Sequence, residues 1–362
     1  MTEKQLIEEK SQIESAEIKP LEKPMVSIII PVRNEEQYLQ MCLDSIQVQT
    51  YDHSRIEVLI VDGNSEDGTE EIARQFQQES DLTVRILKNT AGNTPCGLNM
   101  GYRNARGDYL LHFIGHASMP PEFIAKDVEY LTQTSADAVG GLVISTCIEG
   151  KTIPKGIGYA LNSPFGLGGV TARTGTKPGY IDNPSFGCYR RDLFDRFGYI
   201  DERLTRNQDY EYNQRITSYG AKIYFTPEIK SYYYNRPTYK SLWREYFNAA
   251  KWRTFMIGRF VRAVMMRHLV PPAFVLTILA LGVLSFTTNW AVYPLAVLTG
   301  LYLLFALVST VDLGMKKGLK YMPSALLSYF VIHVAYGLGF IWGFIWFVIL
   351  RMGNYVSEAE AQ

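Results

Sequence analysis

Three side chains that can exchange protons or accept hydrogen bonds stand at the ends of predicted secondary-structure elements. Asp62 follows the apolar run IEVLIV, His116 follows another such run, and Asp209 begins a helical stretch. A carboxylate in this position can accept a hydrogen bond from a ligand or take a proton from an attacking hydroxyl group. It can also cap a helix or close a turn, as Asp62-Gly63-Asn64 favours. The residue types therefore indicate a polar ligand site and leave its ligand open.

The positions of these residues depend on alternating strands and helices. Apolar runs separated by helix-length segments are typical of βαβ units and a mainly parallel sheet. Ligands of such sheets bind beyond the carboxyl ends of the strands, where Asp62 and the Ile114-Gly115-His116 turn lie. The predicted strands are 26–31, 56–61, 84–87 and 109–114, and the predicted helices begin at Asn34, Asp67, Leu98 and Pro120.

The charge balance and the motifs exclude several classes of protein. The chain has 36 Lys and Arg against 36 Asp and Glu, which argues against a uniformly basic nucleic-acid-binding protein. No GxGxxG follows a predicted strand and no GxxxxGKS or GxxxxGKT occurs, so dinucleotide-binding and P-loop sites are not indicated. The glycine-rich stretch 165–170 is expected to be a loop. The cysteines form no CxxC pair and are expected to be reduced thiols: Cys42, Cys96, Cys147 and Cys188.

Two long uncharged stretches predict a membrane region. Residues 269–310 and 321–350 carry no charged side chain, and such lengths can cross a hydrocarbon core of about 30 Å. A two-span or re-entrant arrangement remains open because the first predicted span is short. The three expected spans are 270–287, 290–310 and 324–350.

The flanking charges predict which side of the membrane the chain ends occupy. Lys316, Lys317 and Lys320 place one loop on the cytosolic side, so three spans would leave the tail 351–362 outside. The lead-in 1–24 has no apolar run typical of a secretory signal, and we expect a flexible segment there.

Two features near the membrane carry open alternatives. Residues 236–268 contain eight Lys and Arg and one Glu, interleaved with aromatic residues. This composition favours a helix at the membrane surface, the alternative being a basic solvated helix packed on the preceding domain. His333, in the third span, could be functional or could join two helices by a hydrogen bond.

The motifs VSIIIPVRNEE, LIVDGNSEDGT and NQDYEYNQR occur in this order along the chain. Together they resemble glycosyltransferase family 2, whose members have the GT-A fold. IGHASMPPEFI, SPFGLGGV and FGCYRRDLF further resemble its succinoglycan-type (ExoA-like) membrane glucosyltransferases. The resemblance covers residues 25–268. It implies an α/β fold, with a nucleotide-sugar-binding, Rossmann-like GT-A domain at 25–235 followed by a helical transmembrane region at 269–350.

The resemblance also implies roles for individual residues. Asp209 corresponds to the general base, which accepts the proton of the acceptor hydroxyl as that oxygen attacks the anomeric carbon, with inversion. Asp62 is implied to contact the nucleobase of the sugar-nucleotide donor. Glu35 is explained equally well by the helix dipole, and Asn99 by a solvated helix face. The implied nucleotide-sugar site comprises Pro31, Arg33, Glu35, Asp62, Asn99 and Gly115, and the implied acceptor residues are Gln208 and Trp252, the latter equally suited to interfacial anchoring.

The family's metal motif is altered in this sequence. The family has an Asp-x-Asp-like motif, and the ExoA-like group Asp-Gly-His, to hold a divalent metal on the diphosphate. Here the motif reads Ile114-Gly115-His116. Three alternatives follow: His116 holds Mn²⁺ or Mg²⁺ weakly, cationic side chains replace the metal, or donor turnover is impaired. A zinc site with His112 is not expected, because four residues of strand separate the two rings by about 13 Å.

The resemblance implies a membrane-bound inverting glycosyltransferase at the cytoplasmic face of the cell membrane. We expect transfer of a hexose, glucose from UDP-glucose, to a polyprenyl-diphosphate-linked saccharide in exopolysaccharide or cell-surface glycan synthesis. Its expected partners are the nucleotide sugar, the polyprenyl-linked acceptor, the lipid bilayer and polysaccharide assembly proteins, with no nucleic acid. A polyprenyl-phosphate sugar synthase and a non-catalytic partner of an assembly complex are the alternatives.

Overall fold

Runs of β-branched residues form the buried centre of the fold. The computed structural model describes residues 23–147, 151–204, 206–235, 237–257 and 264–350. In it, β1 (Val26–Val32) and β2 (Ile56–Asp62) are almost completely buried along their whole length. Strands covered on both faces need apolar side chains at successive positions, which explains why both runs lack polar alternation.

Nine strands form one mixed sheet. β1 pairs in parallel with β2 on one side and with β4 on the other, and this register sets Asp62 beside Val32 at the carboxyl edge. The order across the sheet is β3-β2-β1-β4-β8-β6-β9-β5, with β7 paired to β9. The remaining strands are β3 (Thr83–Lys88), β4 (Tyr109–His112), β5 (Ala117–Ser118), β6 (Ala138–Thr146), β7 (Gly179–Tyr180), β8 (Ser185–Arg190) and β9 (Ile223–Tyr234).

Helices cover both faces of the sheet and bury two separate cores. Ile28 and Ile30 point into one core and Ile29 into the other, as the alternation of a strand requires. The helices of this region are α1 (Leu39–Gln47), α2 (Thr69–Glu79), α3 (Thr94–Asn104), α4 (Phe123–Gln133), α5 (Thr152–Leu161), α6 (Pro164–Leu167), α7 (Thr171–Thr174), α8 (Asp192–Phe197), α9 (Gln208–Ser218) and α10 (Tyr239–Thr254).

The sequence located these elements well but missed some helix starts. The helix expected at Asn34 begins at Leu39, because Asn34 adopts a left-handed conformation with φ 55°. The expected loop 165–170 instead begins inside the short helix α6. The basic-aromatic segment 236–268 is not one helix: α10 ends at Thr254, and the next described helix begins at Met266.

Three helices are long and apolar enough to cross a membrane among the described residues. They are α11 (Met266–Leu284), α12 (Val292–Lys317) with a preceding 3₁₀ turn, and α13 (Met322–Gly343), which continues as a π-helical turn (Phe344–Ile349). Only 11% of the apolar window of α11 and of α12 is buried, against 33% for α13. The first two therefore expose most of their apolar surface, whereas α13 is partly covered by protein.

The additional cover on α13 comes from α10. A Cβ atom at Gly339 would collide with the backbone of Phe247, and one at Gly343 with the backbone of Lys251. Glycines at this four-residue spacing let two helices approach closely. His333 of α13 contacts the Tyr302 hydroxyl of α12 at 3.1 Å and the Phe165 carbonyl of α6 at 2.9 Å, as the hydrogen-bonding alternative predicted.

A buried carboxylate holds the amino-terminal edge of the sheet together. The Glu57 side chain is fully buried and accepts hydrogen bonds from Ser27 at 2.6 Å, the Arg106 N–H at 2.8 Å and Arg85 at 2.9 Å. Burial raises the pKa of Glu57, but these hydrogen bonds outweigh it and hold the pKa below its ordinary value of 4.5. The ionised form is therefore the one that stabilises the fold.

Replacing Glu57 with glutamine should lower the free energy of unfolding by about 3 kcal/mol, because it leaves Arg85 without its buried counter-charge. Since the folded-state pKa is lowered, the wild-type advantage is present above pH 4.5 and disappears as pH falls through the folded-state pKa. Denaturant unfolding at several pH values checks this, with exposed Glu71→Gln as the control. Equal stability of Glu57→Gln and wild type at neutral pH would contradict it.

Candidate active site

A cleft of about 680 Å³ opens at the carboxyl ends of the central strands. This is where a mixed sheet with a parallel centre is expected to bind its ligands. The cleft is bounded on the opposite side by the start of α9 and one face of α10. Seven of the residues singled out in the sequence line it: Pro31, Arg33, Glu35, His116, Gln208, Asp209 and Trp252.

Asp209 lies in the first turn of α9 and faces the cleft. The helix begins after Asn207, which has a left-handed φ of 60° and donates a hydrogen bond to the Ala249 carbonyl at 2.8 Å. That bond ties the start of α9 to α10 and so fixes the place of Asp209. Glu211 forms an ion pair with Arg215 at 2.9 Å within the same helix and has a structural role.

His112 is the buried neighbour of Asp209. It ends β4, lines the floor of the cleft, and its Nε2 atom has no hydrogen-bond partner among the described residues. Burial lowers the pKa of His112, and the Asp209 carboxylate raises it in part. A neutral imidazole near this carboxylate follows at neutral pH. His112 ends β4, and His116 lies in the turn before β5.

Asp62 ends β2 and is 3% exposed, between the cleft residues Val61 and Gly63. Its two carboxylate oxygens lie 3.2 and 3.3 Å from the Ser65 N–H, which donates to them. The turn-closing alternative is therefore present in the structure. Because one N–H leaves most of the lone pairs of a carboxylate free, Asp62 retains the capacity to accept from a ligand.

Arg33 lies at the same end of the cleft. It follows β1, and its Nη1 donates to the Gly92 carbonyl at 2.8 Å, which bridges the loops after β1 and β3. Its guanidinium is thereby held at the mouth of the cleft with further N–H groups available to an anion.

Glu35 and His116 form a pair in the middle of the cleft. His116 Nδ1 lies 2.7 Å from Glu35 Oε1, and both side chains are largely buried. A Cβ atom at Gly115 would lie 3.0 Å from Val32 and 3.2 Å from the Glu35 side chain, so glycine lets the two loops approach. Gly115 thus acts through the Glu35–His116 pair and does not itself line the cleft.

The residues of the altered motif do not fit the metal that the family resemblance implies. Ile114 offers no ligand atom, and the Nδ1 atom of His116 is occupied by Glu35. Among the residues that the structure describes, no group of three His, Cys, Asp or Glu side chains could hold a metal ion.

Asn99 does not belong to the cleft. Its side chain is 2% exposed, donates to the Ile200 carbonyl at 2.9 Å and to Glu202 at 2.8 Å, and accepts from the Ile200 N–H. Both ends of the amide are saturated, and they tie α3 to the loop after α8. Asn99 was expected in the donor site or on a solvated helix face, and both expectations are wrong. Its side chain has a structural role.

Trp252 connects the cleft with the apolar helices. It lines the cleft from α10, and its ring lies 5.7 Å from Phe255 and 5.2 Å from Phe347 in the turn after α13. Both alternatives for Trp252, a wall of the acceptor side and an anchor at the apolar region, are compatible with this position.

Arg173 and Phe186 are among the cleft residues that the sequence did not single out. Arg173, from α7, donates to the Ser145 hydroxyl and has its guanidinium carbon 5.5 Å from the Tyr233 ring centroid. Phe186, at the start of β8, has a φ of 49°, a left-handed conformation that bulky residues avoid. The stretch TARTGTK has no periodicity that would single out Arg173, and a backbone angle leaves no sequence signal at Phe186.

Comparison with known proteins gives one family-model match and several relatives. The model of glycosyl transferase family 2 matches residues 27–198. The succinoglycan biosynthesis protein ExoA of Rhizobium meliloti is 28% identical over 86% of this chain and 93% of its own length. A dolichyl N-acetyl-alpha-D-glucosaminyl phosphate 3-beta-D-2,3-diacetamido-2,3-dideoxy-beta-D-glucuronosyltransferase of Methanococcus voltae is 26% identical over 88% of this chain and 97% of its own.

A solved structure has the same fold over most of the chain. The mannosyltransferase PcManGT from Pyrobaculum calidifontis, determined with GDP-Man and Mn²⁺, aligns with a TM-score of 0.56 and 16% identity. The alignment covers 92% of this chain and 94% of that one, so the similarity extends beyond the sheet to the C-terminal helices.

Proposed function

Because the chain is a glycosyltransferase with a GT-A fold that carries a family 2 domain over residues 27–198, we propose that it transfers a hexose with inversion to a lipid-linked saccharide. The donor is UDP-glucose and the acceptor a polyprenyl-diphosphate-linked saccharide, in the synthesis of an exopolysaccharide or cell-surface glycan. The observation that carries the proposal is the position of Asp209, in a cleft between the carboxyl ends of the central strands and α10, the helix that packs against α13.

Asp209 serves as the general base of this reaction. The acceptor hydroxyl gives its proton to the carboxylate while its oxygen forms a bond to the anomeric carbon of the donor. The bond from that carbon to the diphosphate oxygen breaks in the same step, and the nucleoside diphosphate leaves. Attack opposite the leaving group inverts the anomeric configuration, so an α-linked donor gives a β-linked product.

The cations of the cleft stabilise the leaving group. Arg33 holds the loops after β1 and β3 together, and Arg173 also lines the cleft. Preoriented guanidinium groups interact with charge developing on a diphosphate oxygen and do not reorganise during the step. Asp62 accepts a hydrogen bond from the nucleobase of the donor. The Glu35–His116 pair orders the floor of the cleft between the nucleobase and the leaving diphosphate.

The apolar helices support a lipid-linked acceptor. The α11–α12 hairpin exposes most of its apolar surface, as a bilayer-embedded hairpin does. Lys316, Lys317 and Lys320 lie beside the catalytic domain, and the Lys317 ammonium is 5.8 Å from the Tyr159 ring of α5. The positive-inside rule then places that domain at the cytoplasmic face.

Transfer of labelled sugar into a lipid extract by the detergent-purified protein tests the proposal. A panel of UDP- and GDP-sugars is compared with Mn²⁺, with Mg²⁺ and with chelator. We expect incorporation from UDP-glucose into a lipid-soluble product that carries an oligosaccharide on diphosphate. The chelator lane shows whether transfer requires a divalent metal at all.

Other products would contradict specific parts of the proposal. Incorporation from a different donor would replace glucose and leave the rest unchanged. A single sugar on polyprenyl monophosphate, which mild acid releases, would favour the synthase alternative. A product that stays in the water phase would overturn the lipid-linked acceptor.

A further inference from the structure

Two arginine side chains between the catalytic domain and the apolar helices lack partners for buried N–H groups. Arg253, on α10, has its Nε and Nη1 atoms buried, and Arg267, in the first turn of α11, its Nε atom. None of these three atoms has a hydrogen-bond acceptor, and neither side chain forms an ion pair, within the part of the chain that the structure describes.

The two guanidinium groups face a common region next to Tyr210. The Arg253 guanidinium carbon lies 3.9 Å from the centroid of the Tyr210 ring, and its Nη2 is 3.4 Å from Asn207 Oδ1. Burial raises the pKa of Tyr210, the Asp182 carboxylate adds to the increase, and both Arg253 and Arg267 oppose it, so two cations stand against one anion around this ring. Both cations therefore lie within electrostatic range of one ring, which directly follows Asp209 in α9.

A charged side chain with buried N–H groups that lack an acceptor is an unusual feature in a folded protein. A buried N–H without an acceptor is destabilising, and more so when the group is charged. Like charges close together add to that cost. Surplus positive charge with free donors is what an anion with several oxygens would neutralise, and the guanidinium fork matches a phosphate in a bidentate manner.

We propose that Arg253 and Arg267 bind the diphosphate of the lipid-linked acceptor at the junction of the cleft and the apolar helices. This site deepens the proposed function and rests on its lipid-linked acceptor. The polyprenyl chain would follow the apolar helices from the start of α11, and the first sugars would reach past Trp252 into the cleft toward Asp209.

The position of the pair favours the lipid over the donor as the source of the diphosphate. Arg33, which is proposed to meet the donor diphosphate, is fixed to Gly92 on the far side of the cleft, after β1. Arg267 instead lies in the first turn of α11, whose residues from Leu269 onward carry no charge. Its neighbour His268 stacks near Tyr336 of α13 with ring centroids 6.5 Å apart.

Binding of farnesyl diphosphate, a short polyprenyl diphosphate, tests the site without turnover. The full chain is placed in phosphatidylcholine nanodiscs, and dissociation constants for farnesyl diphosphate, inorganic pyrophosphate and UDP are measured side by side. We expect Arg253→Gln and Arg267→Gln each to weaken farnesyl diphosphate binding about 10- to 100-fold. Arg253→Lys should recover part of the loss, and UDP affinity should not change.

Arg244→Gln is the matched control, because it removes the same side chain from an exposed position of α10. Thermal unfolding of each variant confirms that the fold is retained. Unchanged farnesyl diphosphate binding in Arg253→Gln and Arg267→Gln would overturn the inference, as would a parallel loss of UDP binding, which would assign the pair to the donor.

The outcomes separate this inference from the proposed function. Arginine-dependent binding of farnesyl diphosphate or pyrophosphate, together with a transfer product that is not lipid-linked, would support the anion site and overturn the acceptor. A lipid-linked transfer product, together with farnesyl diphosphate binding that does not depend on the two arginines, would support the proposed function and overturn the anion site. A second set of nanodiscs contains phosphatidylglycerol as well as phosphatidylcholine. Arginine-dependent displacement of the probe in that set would identify a bilayer phospholipid as the ligand and overturn the acceptor assignment.

Discussion

Replacement of Asp209 by asparagine is expected to lower the turnover number by about two to four orders of magnitude. Asparagine keeps the size of the side chain but replaces one carboxylate oxygen by an NH2 group, so it cannot take the proton of the acceptor hydroxyl. The attacking oxygen would then carry its proton into the transition state. Because Asp209 acts as the general base only after the donor has bound, the affinity for UDP should remain that of the wild type.

Two measurements make this prediction specific. Single-turnover rates and UDP dissociation constants separate loss of chemistry from loss of binding. Asp192→Asn, an exposed carboxylate on α8, is the control and should retain the wild-type rate. A turnover number for Asp209→Asn within about three-fold of the wild type would remove Asp209 from the role of base.

His112 provides a second readout of the same substitution. The Asp209 carboxylate partly offsets the lowering of the His112 pKa by burial. Asp209→Asn removes that charge, so the His112 pKa should fall further. A histidine titration followed by NMR would show the shift, and its absence would mean that the two side chains do not share the floor of the cleft.

The sequence predicted the parts of the fold and site that depend on local patterns. Buried runs of β-branched residues have few alternatives to a covered parallel strand, so β1 and β2 were located to within a residue or two. Asp62 and Asp209 were found because strand ends and helix starts are marked in sequence. The three long apolar helices follow from length and the absence of charge alone.

Residues whose role depends on distant partners were not predictable in the same way. Asn99 sits on the helix that the sequence analysis assigned to the donor side, yet its contacts are with Ile200 and Glu202, about a hundred residues later. The pairing of Glu35 with His116 joins loops 81 residues apart. Local periodicity carries no information on which loop a side chain meets.

The apolar helices illustrate the same limit. All three were expected from hydropathy, but hydropathy does not distinguish a helix surrounded by lipid from one that packs on a domain. Gly339 and Gly343 let α10 lie against α13, so one face of α13 meets protein. This contact brings Trp252 and Arg253 of α10 to the apolar region, and it joins the proposed lipid site to the catalytic cleft.

The second large effect is expected at Asp62. Asp62→Asn should raise the UDP dissociation constant by about 10- to 100-fold, because it removes the charged acceptor for the N–H group of the nucleobase. One amide oxygen remains to accept from the Ser65 N–H, so the turn should stay closed and the melting temperature should hold. Equilibrium binding of UDP and thermal unfolding measure the two effects separately.

Asp62→Ala separates the two roles of this carboxylate. Alanine loses the base contact and also leaves the Ser65 N–H without its acceptor, so both UDP affinity and melting temperature should fall. If Asp62→Asn binds UDP as tightly as the wild type while Asp62→Ala is destabilised, Asp62 closes the turn and does nothing else. A loss of affinity shared by both variants, with destabilisation in the alanine variant alone, would assign the carboxylate to both tasks.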